Sequence, residues 1–361
     1  MRQAWRGLAG LLAIGALATG SSVALADGGH GHGNGNGNGN GHQGNALAPA
    51  TIFTMPAAPD GNPEGIAVDK SSGRFFVSRV ATASIFTGTT DQTTPLTQFI
   101  AGTATGTPPL ATGMKVRKGL LYVAGASTGE IRVYNLATPA VAPVVFQTGG
   151  GFINDLDLDG HGNVFATDST TSTIYEVTAE QVAAGTGTPT AIDVSSGITS
   201  TRGEFNLNGI VAKGHALIVV NSFSGELFRI TLSDGAPNIE KIDLGSADVK
   251  NGDGLLIDRG RLLVVRGTNG EDPPAAGKPA NGSNGLIDVV KLSHHNTRGR
   301  VESEIFDASF SGPSTIARAG KQLLVVNASF TAGPTAEGNF TVTGLARNVV
   351  RHGHGGGHSS H

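Results

Sequence analysis

The sequence predicts an all-β protein, a six-bladed β-propeller, from three observations. A short apolar motif recurs six times, a second apolar segment follows each copy after a Gly-containing turn, and helical periodicity is nearly absent. Repeats of this length with strand-like content are typical of propeller blades, which are small sheets that bury both faces only against their neighbours. The six leading motifs are PEGIAVD (63–69), ATGMKVR (111–117), INDLDLD (153–159), LNGIVAK (207–213), GDGLLID (252–258) and PSTIARA (313–319).

The segments between the leading motifs have the pattern of further strands. GLLYVAG (119–125) and HALIVVNS (215–222) are apolar second strands, and GELFRITL (225–232) alternates apolar and polar residues. Alternation with a period of two indicates a half-buried antiparallel strand. Only TAEQVAAG (178–185) is able to form a turn or two of helix. TIFTM (51–55) is placed to add a strand to the last blade and so close the ring.

The amino-terminal residues 1–26 have the pattern of a secretory signal peptide. Arg2 and Arg6 give a positive start, an apolar stretch follows, and Ala24-Leu25-Ala26 has the small-x-small form of a cleavage site. The mature chain is therefore expected to begin near Asp27 and to be secreted. The apolar stretch is too short to span a bilayer, and no later segment is long enough, so no membrane span is expected.

The propeller is expected to occupy residues 51–345, between two segments of low complexity. Residues 27–50 are rich in Gly, Asn and His and predict a flexible linker, and residues 346–361 form a His/Gly-rich tail. The tail histidines either bind zinc, copper or nickel loosely or are incidental to a polar linker.

Composition excludes several classes of function. The chain has no cysteine, which rules out disulfides, thiol nucleophiles and thiolate metal sites. Its formal net charge is −3 and no basic stripe is present, which argues against nucleic acid as a partner. A small molecule is the expected partner, and the sequence does not predict an oligomeric state.

Four of the six motifs place an oxygen-bearing side chain at the same register: Glu64, Asn154, Asn208 and Asp253. Because the innermost strand of each blade lines the central channel, equivalent positions are expected to face one another around the axis. Two carboxylates and two amide carbonyls suit a hard divalent cation, calcium above all, although zinc, manganese or magnesium also fit such a site. The alternative is that Asn208-Gly209 and Asp253-Gly254 are only turn formers.

The same register holds Thr112 and Ser314 in the other two motifs. These hydroxyls are candidate substrate-binding groups, or else small residues packed where the channel walls come close. Asp155, Asp157, Asp159 and Asn163 are weakly similar to a calcium loop, but the intervening leucines favour a strand that ends in an Asp159-Gly160 turn.

With these motifs, the sequence resembles the senescence-marker-protein/gluconolactonase/luciferin-regenerating superfamily, which includes diisopropyl fluorophosphatase. INDLDLDGHGNVFATD (153–168) and LNGIVAKGHALIVVNS (207–222) carry most of the resemblance, while GIAVD (65–69) is closer to strictosidine-synthase-like relatives. The resemblance implies a six-bladed propeller with a divalent cation held by one Glu, two Asn and one Asp, in the order of Glu64, Asn154, Asn208 and Asp253.

The resemblance also implies an activity, the hydrolysis of a lactone or ester-like substrate. Asp253 would be a metal ligand and the catalytic general base, or else the nucleophile. Two other classes of function stay open: a non-catalytic propeller that binds a ligand or protein around a structural ion, and a propeller lyase or synthase.

Overall fold

The fold is that of a six-bladed β-propeller, as the repeats predict. The protein is described by a computed structural model, in which the described residues form six four-stranded sheets. The predicted signal peptide, most of the predicted linker and most of the His-rich tail lie outside the described residues. Those residues are 50–56, 61–103, 108–232, 236–267, 285–330 and 340–346.

Each of the six leading motifs forms or contains the innermost strand of a blade. These strands are β2 (Pro63–Asp69), β6 (Met114–Arg117), β10 (Ile153–Leu158), β14 (Leu207–Lys213), β18 (Gly252–Asp258) and β22 (Pro313–Ala319). The apolar segments after the turns form the second strands, each antiparallel to the first. They are β3 (Arg74–Arg79), β7 (Leu120–Ala124), β11 (Val164–Asp168), β15 (Ala216–Asn221), β19 (Arg261–Arg266) and β23 (Gln322–Asn327).

The third and outermost strands complete each blade in the same antiparallel order. The third strands are β4 (Ile85–Thr89), β8 (Glu130–Asn135), β12 (Thr173–Val177), β16 (Glu226–Thr231), β20 (Leu286–Leu292) and β24 (Thr341–Ala346). The outermost strands are β5 (Thr97–Ile100), β9 (Val144–Gln147), β13 (Thr190–Asp193), β17 (Asn238–Lys241), β21 (Gly299–Ile305) and β1 (Thr51–Thr54).

Strand β1 closes the ring, in agreement with the prediction for TIFTM. It pairs antiparallel with β24, from Thr51 opposite Gly344 to Thr54 opposite Thr341. The first strand in the chain thus becomes the outer edge of the last blade, so that the last blade depends on residues from both ends of the described chain. Phe53 anchors the closure, because its ring packs edge-on against Phe75 of the first blade with centroids 5.3 Å apart.

The apolar core lies between the blades as six clusters, one for each pair of neighbours. Between blades two and three, for example, Tyr122 and Ile131 pack against Leu156 and Val164, and all four are buried. Each fully buried side chain of this size contributes roughly 1.5–3 kcal/mol relative to an exposed one. This packing between sheets explains how a chain without cysteine stabilises a large ring.

One short helix, α1 (Ala179–Ala184), follows β12, where the sequence predicts a turn or two. Thr178 caps its amino terminus in a reciprocal pair with Gln181, and Gly185 ends it with a left-handed φ of 68°. No helix in the described part of the chain is long and apolar enough to cross a membrane.

Candidate metal site in the central tunnel

The innermost strands are irregular at the register where the sequence places its candidate ligands. In five of the six, the ladder with the second strand shifts across that position. Such a β-bulge releases a residue from the regular alternation, so its side chain need not lie on the face that the alternation would give it. The shifts lie between Pro63 and Ile66, Ile153 and Leu156, Leu207 and Ile210, Gly252 and Leu255, and Pro313 and Thr315.

Neighbouring blades approach closely just after this register, which explains the glycines there. A Cβ added to Gly65 would lie 2.1 Å from the Thr112 carbonyl oxygen, and one added to Gly209 would lie 2.1 Å from the Asp253 carbonyl oxygen. Real Cβ atoms do not come this close to an oxygen. The glycines therefore let the backbone of one blade touch the next, and this contact brings the register positions of neighbouring blades together.

All four candidate ligands lie inside the protein. Glu64, Asn154 and Asn208 expose only 5%, 6% and 8% of their surface, and Asp253 is half-buried. The Asn208 side chain is near enough to Asp253 to lower the pKa of its carboxyl. The alternative was that Asn208 and Asp253 only form turns, but both lie within innermost strands and neither is exposed.

The two asparagines are held in one orientation by matching serines. The Asn154 amide donates to Ser169 Oγ at 2.8 Å, and Ser169 in turn donates to the Leu207 carbonyl at 2.5 Å. In the next blade, Asn208 donates to Ser222 Oγ at 3.1 Å, and Ser222 donates to the Gly252 carbonyl. Because each serine proton is given to a carbonyl, its oxygen must accept from the amide nitrogen. Each amide oxygen is therefore turned away from its serine.

Two oxygens of the candidate set are buried without a partner. Glu64 Oε2 and Asn208 Oδ1 form no hydrogen bond with the protein, and a buried acceptor left unpaired costs about 1–3 kcal/mol. A hard cation satisfies such oxygens. The described residues contain no group of three or more acidic or histidine side chains that could hold a metal alone, so a metal ion bound here would need amide oxygens as further ligands.

The two carboxylates occupy an environment that disfavours their negative charge. Burial raises the pKa of Glu64 well above its ordinary value of 4.5, and the charges of Asp253 and Asp155 raise it further. Burial also raises the pKa of Asp253 well above 3.8, followed by the charge of Asp155, while the nearby Asn208 side chain lowers it. A divalent cation between the two carboxylates would remove this repulsion.

The sequence interpretation gave too little weight to Asp155 and missed Lys115. Asp155 is 5% exposed, and its charge acts on both Glu64 and Asp253. Burial lowers the pKa of Lys115, but the negative charges of Asp155, Asp157 and Glu64 outweigh this effect and raise the pKa above 10.5. Lys115 is therefore a positive charge that acts on Glu64 and Asp155.

Thr112 and Ser314 use their hydroxyl protons within the protein. Thr112 Oγ1 lies within hydrogen-bond distance of the carbonyls of Ala124 and Ile153, at 3.3 and 3.0 Å, and Ser314 Oγ donates to the Glu64 carbonyl at 2.8 Å. The bonds to Ile153 and Glu64 reach the next blade. Both residues therefore link blades, and their predicted role in substrate binding stays a prediction that would rely on their oxygen lone pairs.

Asp159 belongs to a turn, as the strand interpretation of its segment predicts. Its carboxylate accepts hydrogen bonds from the backbone amides of His161, Gly162 and Asn163, at 2.9, 2.7 and 2.9 Å. A cavity of about 350 Å³ lies beside this turn and is lined by Glu176, His215 and others. It is at the opposite face of the ring from the ligand register and plays no part in the candidate site.

Comparison with solved structures agrees with this architecture. Virginiamycin B lyase from Staphylococcus aureus aligns with a TM-score of 0.52 and 13% identity over 82% of this chain and 99% of the lyase. A luciferin-regenerating enzyme gives 0.54 and 13% over 82% and 95%, and a gluconolactonase from Xanthomonas campestris gives 0.56 and 15% over 83% and 91%. These likenesses show a shared six-bladed fold. The structural neighbours thus include members of the superfamily that the sequence resembles, whereas no protein-family profile and no curated protein sequence matches the chain.

Raised carboxylate pKa values predict a pH dependence of stability in the metal-free protein. Because folded Glu64 holds its proton to higher pH than unfolded Glu64, its stabilising effect is present below pH 4.5 and is lost as the pH rises through the folded pKa. In chelator, we expect the Glu64→Gln variant to be increasingly more stable than the wild type as the pH rises from 4.5. The difference should grow by at most about 1.4 kcal/mol per pH unit.

Denaturant unfolding of the two proteins across this pH range measures the difference in free energy. Comparing the variant with the wild type cancels the contributions of the carboxylates that do not interact with Glu64, so the difference reports on Glu64 and its neighbours Asp253 and Asp155. A difference that stays constant with pH would show that the folded protein does not hold the Glu64 proton more tightly.

Proposed function

We propose that the protein is a secreted, metal-dependent hydrolase of lactones or ester-like substrates. One divalent cation, with calcium as the first candidate, would be held by Glu64, Asn154, Asn208 and Asp253. The observation that carries this proposal is the pair of buried, unpartnered oxygens on Glu64 and Asn208 beside a second carboxylate. Secretion rests on the signal-peptide pattern of residues 1–26.

The donor set fits calcium better than the softer metals. Calcium accepts six to eight oxygen ligands, with neutral carbonyls and water among them, and the four side chains supply oxygen alone. Zinc favours nitrogen and sulfur ligands as well, and the described residues bring no histidine into this set. Two carboxylates balance the charge of one divalent ion.

Three of the four residues would only bind the metal ion, and the fourth would also accept a proton. With the cation bound, Glu64 would be ionised and supply a negative charge, and the serine-bound amides of Asn154 and Asn208 present oxygens without needing to reorient. Asp253 is the candidate general base, because this residue is only half-buried, whereas Glu64 is buried, so water has better access to it. When bound, the cation would act as a Lewis acid on the substrate carbonyl or phosphoryl oxygen.

The experiment that tests this function is a substrate panel assayed with and without chelator. The protein should hydrolyse at least one of a set of lactones, aryl esters and organophosphates, lose the activity in chelator, and regain it with calcium. Reaction in ¹⁸O-water should place the label in the product. A product with a new double bond and no label would instead indicate a lyase, and tight calcium binding without turnover would indicate a binding propeller with a structural ion.

Ser222 is expected to be a positioning residue for the metal site. The Ser222→Ala variant would free the Asn208 amide to rotate and would leave the Gly252 carbonyl without its donor. Loss of a group that orients a metal ligand typically costs about 10- to 100-fold in metal affinity or activity. We expect calcium affinity, measured by calorimetry, to fall by this amount. The exposed Ser246→Ala variant is the matched control, and equal affinities in the two variants would exclude the orienting role.

A further inference from the structure

The cavity beside the Asp159 turn lies between blades three and four and has apolar walls. Its volume of about 350 Å³ is in the range of small-molecule sites. Phe165 of blade three and Leu217 of blade four line it, and both are buried. Gly160 and Gly214 also line it, and a Cβ added to either would meet nothing within 4 Å. The turns of the two blades therefore leave this space open.

Glu176 supplies an unpaired charge to this cavity. It lies in β12 directly opposite Phe165 of β11, so the two side chains share the face of blade three that packs against blade four. Glu176 lines the cavity, and its carboxylate has no hydrogen-bond or ion-pair partner among the described residues. Burial raises the pKa of Glu176, and the charge of Asp159 raises it further. No described residue therefore compensates this negative charge.

The next blade pairs the charge that it carries at the equivalent position. Arg229 of blade four corresponds to Glu176, because each is two strands out from the residue three after the ligand register. Arg229 lies opposite Glu240 of the outermost strand, and the two form an ion pair of 2.5 Å. In blade three, the residue opposite Glu176 is the exposed and uncharged Thr190. Blade three thus has the charge without the partner.

The other polar groups around the cavity do not favour an anion. The Asp159 carboxylate is held by its own turn, in which Oδ2 also accepts a hydrogen bond of 3.1 Å from the Asn163 side chain. Among the described residues that line the cavity, none is Lys or Arg. Arg117 of blade two does not line it and donates instead to the carbonyls of Asp159 and Gly160. A negative ligand would be repelled here, whereas a positive one would be attracted.

We propose that this cavity is a binding site for a small organic cation, with an ammonium or guanidinium group on an apolar body. The Glu176 carboxylate accepts hydrogen bonds from the charged group, and Phe165 and Leu217 contact the apolar body. A metal ion is a poorer occupant, because the described residues bring together no three acidic or histidine side chains that could hold one. The cavity is separate from the candidate metal site, so this proposal does not depend on the proposed function.

The test compares two probes of the same shape, phenethylamine and the neutral 2-phenylethanol, on the full chain. Binding is measured at pH 8 by ligand-detected NMR titration. A hydrogen bond to a charged group is worth about 1.5–3 kcal/mol, more than one between neutral groups. We expect the amine to bind with a dissociation constant of about 1 mM or below, and the alcohol to bind about tenfold more weakly or less tightly still.

Three variants locate the amine. Glu176→Gln keeps the shape of the side chain and removes its charge, so the affinity for the amine should fall by about tenfold or more, while that for the alcohol changes little. Thr190→Lys places an ammonium group opposite Glu176 and should weaken amine binding by a similar factor. Glu180→Gln removes an exposed charge from helix α1 and is the control, which should bind the amine like the wild type.

The proposal is overturned if Glu176→Gln binds the amine as tightly as Glu180→Gln does, or if the amine and the alcohol bind the wild type equally. Absence of amine binding up to about 10 mM would overturn it as well. Thermal melting shows whether each variant is folded. If Glu176→Gln does not fold, Thr190→Lys decides, because it keeps Glu176 and should still exclude the amine.

Discussion

Replacing Asp253 with Asn is expected to abolish hydrolysis and leave the fold intact. Asn keeps the shape of the side chain but cannot accept a proton from water, and general-base catalysis contributes about 10²- to 10⁴-fold in rate. The variant also removes one of the two charged ligands, so calcium affinity should fall as well. The observable is kcat/KM on the best substrate of the panel, with saturating calcium.

Stability should move in the opposite direction from activity. The folded protein disfavours the charge of Asp253, because the group is desolvated and lies near Asp155. Removing that charge should therefore leave the melting temperature in chelator unchanged or slightly higher. Asp248→Asn, an exposed aspartate before the same strand, is the control and should retain full activity. Full turnover by Asp253→Asn would remove this residue from the chemistry.

The Gly209→Ala variant is expected to destabilise the ring severely. The added methyl group would lie 2.1 Å from the Asp253 carbonyl oxygen and 2.8 Å from the Leu255 side chain. Because the nearest of these atoms belongs to the backbone of the next blade, the clash is relieved only if the two blades move apart at the candidate metal site. Overpacking of this kind costs typically 1–3 kcal/mol, and contact with backbone puts this case at about 3 kcal/mol or more.

Gly160→Ala is the matched control for this prediction. Gly160 lies in a turn at the other face of the ring, and an added Cβ there would meet nothing within 4 Å. Chemical denaturation should show a large loss of stability for Gly209→Ala and almost none for Gly160→Ala. Equal stability of the two variants would mean that the blades do not touch at this glycine.

The fold was accessible from the sequence because a propeller repeats its pattern. The apolar motif and the turn after it occur in every blade, so an error in one copy is corrected by the others. INDLDLD and LNGIVAK form innermost strands as predicted, and TIFTM pairs with the last blade. The alternation of apolar and polar residues determines where these strands form, and it can be recognised from the sequence alone.

The candidate site was accessible only in part. A shared register identified Glu64, Asn154, Asn208 and Asp253, but the register does not reveal a β-bulge or the direction of a side chain that leaves it. The sequence therefore did not show that the Ser314 hydroxyl donates a hydrogen bond to the Glu64 carbonyl of the next blade. Lys115 was missed because the comparison stopped at the ligand register, although three residues later it stands where four of the other five blades have aliphatic side chains.

A crystal structure of the full chain grown with calcium tests the central claim most directly. Calcium avoids confusion with the tail histidines, since imidazole favours zinc, copper and nickel. We predict one ion on the tunnel axis, with oxygens of Glu64, Asn154, Asn208 and Asp253 at about 2.3–2.6 Å from it. An axis that holds only water in saturating calcium, or an ion bound elsewhere with these four side chains turned apart, would contradict the account.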